Sequence, residues 1–102
     1  TIHTDFQEKA KMIVKRRGKL EIIADILRSI RNKEGKIKPT HLLYKSNLSH
    51  AKLKEYVNTL LEKGMIEEKE VKGKKMFFMK DRGHKFLLEF ERIKEFSDSF
   101  GL

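Results

Sequence analysis

The stretch THLLYKSNLSHAKLKEYVNTLLEKG, residues 40–64, sets the architecture. Thr40 is placed to cap a brief helix over His41–Lys45, with Leu42 and Leu43 turned inward. Ser46-Asn47-Leu48 then reads as a tight turn, because Ser and Asn side chains bond their own backbone. Ser49 is expected to cap a second helix from about His50 to Lys63. Leu53, Val57, Leu60 and Leu61 recur at helical spacing and give that helix one apolar face, with Tyr56 on its flank. Gly64 sits just past its end, where a left-handed backbone lets the last carbonyls find donors. Two short helices joined by a polar turn form a helix-turn-helix.

Upstream, Leu20, Ile23, Ile26, Leu27 and Ile30 line one face of an amphipathic helix from Lys19 to about Asn32. Gly35 closes that helix. Lys36-Ile37-Lys38-Pro39 reads as a short extended link, since Pro39 drives Lys38 out of the helical region. Downstream of Gly64 the period changes. Met65–Val71 and Lys75–Met79 flank the connector Lys72-Gly73-Lys74 and read as a β-hairpin with a solvent-facing first strand. Asp81 is then placed to cap a last helix from about Arg82 to Phe100. The expected class is mainly α within α+β, a winged helix: a three-helix cluster, a two-stranded β wing and a long C-terminal helix. Three segments follow: a basic arm or short helix over 1–18, the winged helix over 19–80, and a C-terminal dimerisation helix over 81–102. Thr4-Asp5-Phe6-Gln7 is a capping box that can open a helix to about Val14, with a basic arm that orders on binding as the other reading.

Charge narrows the function. The 102 residues carry 24 Lys+Arg against 15 Asp+Glu, a net charge of +9 that attracts polyanions. By segment the balance is +4 over residues 1–19, +4 over 20–63, +1 over 64–79 and zero over 80–102. The C-terminal helix is therefore suited to a partner helix and the remainder to a polyanion. With no cysteine, disulfide scaffolds, thiolate metal sites and cysteine nucleophiles are excluded. The four histidines are scattered, the Gly-Lys pairs lack the earlier glycine of a phosphate loop, and no nucleophile elbow is present, so an enzyme is not expected. Neither a membrane span nor a secretory signal is read, which gives a cytoplasmic, nucleoid-associated protein without cofactor, metal or small-molecule ligand.

Three runs carry a family resemblance: KLEIIADIL at 19–27, YKSNLS at 44–49 and LLEKGMI at 60–66. Together they resemble the archaeal winged-helix-turn-helix family, whose members include small regulators and basic, coiled-coil-dimer DNA-binding proteins described as archaeal chromatin components. The resemblance spans about Lys19 to Phe90. Where relatives have Thr-x-x-Gly-x-x-Phe-Leu after the hairpin, residues 80–87 keep Gly83, Phe86 and Leu87 and replace the threonine, with Asp81 expected to cap instead. It implies a DNA-binding, dimeric protein.

In that arrangement the third helix enters the major groove of duplex DNA with its N-terminal turn and outward face. The residues then available are Ser49, His50, Lys52, Lys54, Glu55 and Asn58, against an ordinary solvated face as the bland reading. Asn58 can read adenine through paired hydrogen bonds and His50 can meet a base edge. The lysines suit phosphates. This helix has no arginine, so selectivity is expected to be modest. Lys72, Lys74 and Lys75 at the wing tip suit phosphate or minor-groove contact. Arg16 and Arg17, within Lys15–Lys19, can track a backbone or enter a narrow minor groove.

In the last helix Phe86, Phe90, Ile93, Phe96 and Phe100 approach a heptad seam that slips at Phe96, where Ser97 holds the strict position. They are assigned to a homodimer interface, with packing inside the chain as the competing reading. A docking module of the transcription machinery, working through this phenylalanine stripe, is the alternative function; RNA binding lacks an exposed aromatic platform.

Overall fold

The computed structural model describes residues 18–101. Arg16 and Arg17, and the expected N-terminal helix, lie outside the described residues. Helix α1 spans Lys19–Arg31, with Ile23, Ala24, Ile26, Leu27 and Ile30 buried. Leu20, expected on the apolar face, is 44 % exposed, and Ala24 fills the inward position instead. After α1 the chain turns through Glu34 and Gly35, both at positive φ, and the Gly35 N–H donates to the Ile30 carbonyl at 3.0 Å.

The expected extended link is a strand. Lys36–Ile37 forms β1 and pairs antiparallel with the later strand Lys74–Met79, matching Lys36 to Phe78 and Ile37 to Phe77. The sheet therefore has three strands in the order β1-β3-β2, not the two of the wing alone. A strand of two residues is too short for a period-two pattern to register, and Pro39 has no N–H to continue the ladder. Pro39 opens α2, Pro39–Ser46, as its first helical residue, and Lys38 is the extended N-cap. Thr40 is thus inside the helix and caps nothing; proline's fixed φ starts the helix earlier. Asn47, at φ 58°, ends α2 in the left-handed region.

Helix α3 spans His50–Glu62, and the Ser49 Oγ accepts from the Lys52 N–H at 3.1 Å, the expected cap. At its far end Gly64 takes φ 72°; the Gly64 N–H donates to the Leu61 carbonyl and the Met65 N–H to the Leu60 carbonyl. That pair of bonds is a Schellman motif. Strands β2, Ile66–Val71, and β3, Lys74–Met79, pair in register from Ile66 with Met79 to Val71 with Lys74. Lys72 and Gly73, at φ 54° and 78°, make the two-residue turn with two positive φ angles that matches strand twist.

Helix α4 spans Asp81–Ser99, with Lys80 as its N-cap and no side-chain cap bond. Asp81 does not cap; it lies one residue inside, where its charge still favours the helix N-terminus. Gly83 is forced by space, because a Cβ there would run into the Met65 carbonyl and crowd the Met79 sulfur. The core gathers Ile26, Leu27, Ile30, Leu42, Leu60 and Leu87, all fully buried, beneath Ile37, Ile66 and Phe77 of the sheet.

Candidate nucleic-acid interface

The hairpin turn and the α3 cap place α3 and the wing side by side, with a groove of about 300 Å³ between them. Its floor is apolar: Leu43 from α2, Leu53, Val57 and Leu61 from α3, Phe77 from β3. Its rim holds His50, Lys54 and Asn58 on one side and Glu68 and Lys75 on the other. The candidates His50, Lys54, Asn58 and Lys75 are thus brought together on one face. The first three fall there because they are four residues apart on α3.

The others are distributed differently. Lys52 lies on the opposite flank of α3, lining a second hollow with Lys19, Glu55, Tyr56 and Thr59, and its Nζ is 3.7 Å from Glu55. Ser49 is not buried, and its oxygen already accepts the cap bond. Lys72 and Lys74 stand at the exposed tip of the wing, while Lys75 is 3.5 Å from Glu68. Strand β2 adds Glu67, Glu68 and Glu70, so the wing is basic at its tip and acidic along its stem. That acidic stem is spelled out in the sequence, but only the register shows that Glu68 faces the groove.

Pairing decides which cations remain for a ligand. Arg31 grips Glu91 of α4 through two hydrogen bonds of 2.9 and 3.0 Å, and Arg28 reaches the same carboxylate at 3.5 Å and Asp25 at 2.9 Å. Hydrogen bonding from Arg31, reinforced by the charges of both arginines, holds the Glu91 carboxyl below its ordinary range. Lys94 of α4 lies 3.7 Å from Glu21 of α1, and Arg92 3.3 Å from Glu89. Among the described residues no ion pair engages Lys54, Lys72 or Lys74. His41 on α2 is held below its usual value by desolvation and by the charges of Lys33 and Lys45.

The aromatic stripe of α4 divides. Phe90 is 4 % exposed and belongs to the chain's own core with Leu87, and Ser97 is buried on the same side. Phe86 and Ile93 are half-buried against that core, whereas Phe96 and Phe100 are 44 % and 66 % exposed. Their rings lie 4.8 Å apart between centroids. The slip at Ser97 marks the point where the two faces part.

A profile of the winged helix-turn-helix family matches residues 16–98, and the chain belongs to that family. None of the curated proteins compared matches it. Among solved structures it is similar to Sso10a-2, a DNA-binding protein from Sulfolobus solfataricus (23 % identity, TM-score 0.71, 82 % of this chain and 85 % of that one). The oxidised form of MarR from E. coli superposes with TM-score 0.71 at 14 % identity, covering 92 % of this chain and 68 % of that one. A winged-helix DNA-binding protein from STIV shares 22 % identity with TM-score 0.59, over 72 % and 83 % of the two chains. At these identities the likeness is one of fold. Among the described residues no helix is long and apolar enough to cross a membrane, and no group of three or more His, Asp or Glu could hold a metal ion.

Proposed function

We propose that this chain is a DNA-binding protein, a regulator or chromatin-associated component that acts on duplex DNA as a homodimer in the cytoplasm, at the nucleoid. The observation that carries the reading is the groove between α3 and the wing, where His50, Lys54, Asn58 and Lys75 share one rim-lined face. In a winged helix that face meets DNA, with α3 in the major groove and the wing beside it. Lys54 and the wing-tip Lys72 and Lys74 engage phosphates, and Asn58 and His50 supply the modest base readout. Arg16 and Arg17 supply two further cations for the phosphate backbone. Ser49 and Lys52 contribute at the first turn of α3. The C-terminal helix pairs the copies, since two half-sites suit a two-fold protein.

Charge reversal tests this. Replacing Lys54, Lys72 and Lys74 together with glutamate leaves the core untouched and strips three phosphates of their cations. The slope of log affinity against log salt is expected to fall by about 3, at roughly 0.9 for each phosphate no longer neutralised. Unchanged affinity and slope in a folded variant would contradict the assignment and turn attention to the phenylalanine-rich helix.

A further inference from the structure

Between α1 and α3 the chain carries an excess of positive charge that the groove does not use. Residues 20–32 hold two bases against two acids and residues 49–63 three against two, whereas residues 33–48 hold four lysines against Glu34 alone. Those lysines, Lys33, Lys36, Lys38 and Lys45, are all exposed, and among the described residues no ion pair engages them. The Lys36 N–H donates to the Lys33 carbonyl at 3.3 Å, closing the turn that carries both. The charges of Lys33 and Lys45 both act on His41, so the turn and α2 present their cations in one place.

This surface is distinct from the groove. Successive helical residues turn by about 100°, which sets His41 and Lys45 about 150° around α2 from Thr40 and Leu43 of the groove lining. Leu42 and Ser46 are buried between the two flanks on the inward side, and Tyr44, 86 % exposed, stands on the outward crest. A straight duplex seated against the groove does not lie along the flank of His41 and Lys45.

Composition selects the occupant. Protein interfaces are depleted of lysine at their centres and rely on buried apolar anchors, and Tyr44 is the one large exposed apolar side chain among residues 33–48. A single ring is also too few for the successive stacking that holds single strands. Four lysine charges beside a phenol hydroxyl suit phosphate oxygens instead. We propose that the outer flank of α2 and the α1–β1 turn form a second polyanion surface, which takes the phosphate backbone of a second duplex while the groove holds the first. The groove's duplex belongs to the reading above; the second surface stands without it. With about four phosphates engaged, the second duplex is expected to dissociate with a slope of roughly 3 to 4 in log affinity against log salt.

The test counts duplexes per chain, by sedimentation at low salt with a short random-sequence duplex in excess. Counting per chain gives the same answer for a monomer and a dimer. The wild-type protein is expected to take two. The variant combining Lys33→Glu, Lys36→Glu and Lys45→Glu is expected to take one, as is the variant combining Lys54→Glu, Lys72→Glu and Lys74→Glu. Glutamine at Lys33, Lys36 and Lys45 repeats the first variant without added negative charge and is expected to give the same count. One duplex on the wild-type protein, with affinity unchanged in the α2-flank variant, would overturn the proposal and leave these lysines as solubilising groups along the edge strand β1. One duplex whose salt slope drops by about 3 in that variant would also overturn it, since the flank would then extend a single track. A duplex lost with the α2-flank lysines and kept without Lys54, Lys72 and Lys74 would uphold this surface and overturn the assignment of the groove.

Discussion

Cations on two regions of this molecule have different fates. Between α1 and α4, Arg28, Arg31 and Lys94 all lie on carboxylates, and Glu91 alone takes two guanidinium groups. On the α3 and wing face, Lys54, Lys72 and Lys74 have no such partner among the described residues. A net charge of +9 is therefore not a uniform attraction for polyanions. One set of bases holds helices together; the other is left to meet a ligand. The same division runs through the aromatic residues of α4, where Phe90 is spent on the core and Phe100 is not.

Truncating one residue from each side of this division gives the largest expected difference. Leu87→Ala opens a cavity under a fully buried side chain and is expected to cost about 2–5 kcal/mol of folding stability. Phe100→Ala, at 66 % exposure, is expected to leave monomer stability nearly unchanged and to act on self-association instead. Chemical denaturation at low protein concentration separates the two; equal losses would mean that Phe100 is core after all.

A smaller effect concerns the start of α4. Lys80 occupies an extended N-cap geometry, φ −101° and ψ 165°, with no side-chain acceptor for the helix N–H groups. Lys80→Thr supplies that acceptor and is expected to add about 1 kcal/mol. A loss of stability would mean that the lysine has a role here that capping does not describe.

The smallest effect is pH-dependent. The arginines hold the Glu91 carboxyl below its usual range, so its folded-state value lies under the unfolded one. The clamp therefore contributes above the ordinary carboxylate pKa, near about 4.3, and is lost as pH falls through the depressed value. Because the group is a third exposed, its share is within the roughly 0–1 kcal/mol of surface pairs. Glu91→Gln should lower the melting temperature slightly at neutral pH and not at all in acid. A difference that persists at low pH would assign the loss to packing.

The local devices of this fold were legible in the sequence. Ser49 caps α3, Gly64 ends it, and the hairpin turns inside the expected connector Lys72-Gly73-Lys74, although Lys74 already belongs to β3, because each rests on chemistry within a few residues. Strand β1 was not, since two residues carry no period and only β3 makes them a strand. The caps assigned to Thr40 and Asp81 fell one or two positions late, as proline and an uncapped lysine set those boundaries. At the candidate site, the spacing of His50, Lys54 and Asn58 on α3 was readable, but their approach to Lys75 and Glu68 depends on how the wing folds back. Which arginines are consumed by Glu91 is likewise a tertiary fact, set by groups some sixty residues apart in the chain.

If the cations of α3 and the wing form a phosphate-tracking face, equilibrium binding to a random-sequence duplex, titrated from low to high salt, will reveal it. With the bases assigned above engaged (Lys52, Lys54, Lys72, Lys74, Arg16 and Arg17), affinity should fall by roughly five decades for a tenfold rise in salt. Tight, salt-steep binding is the expected result, and retention of a few genomic fragments at physiological salt would add an operator-bound regulator to it. Absence of binding at low salt would contradict the assignment of this face to DNA.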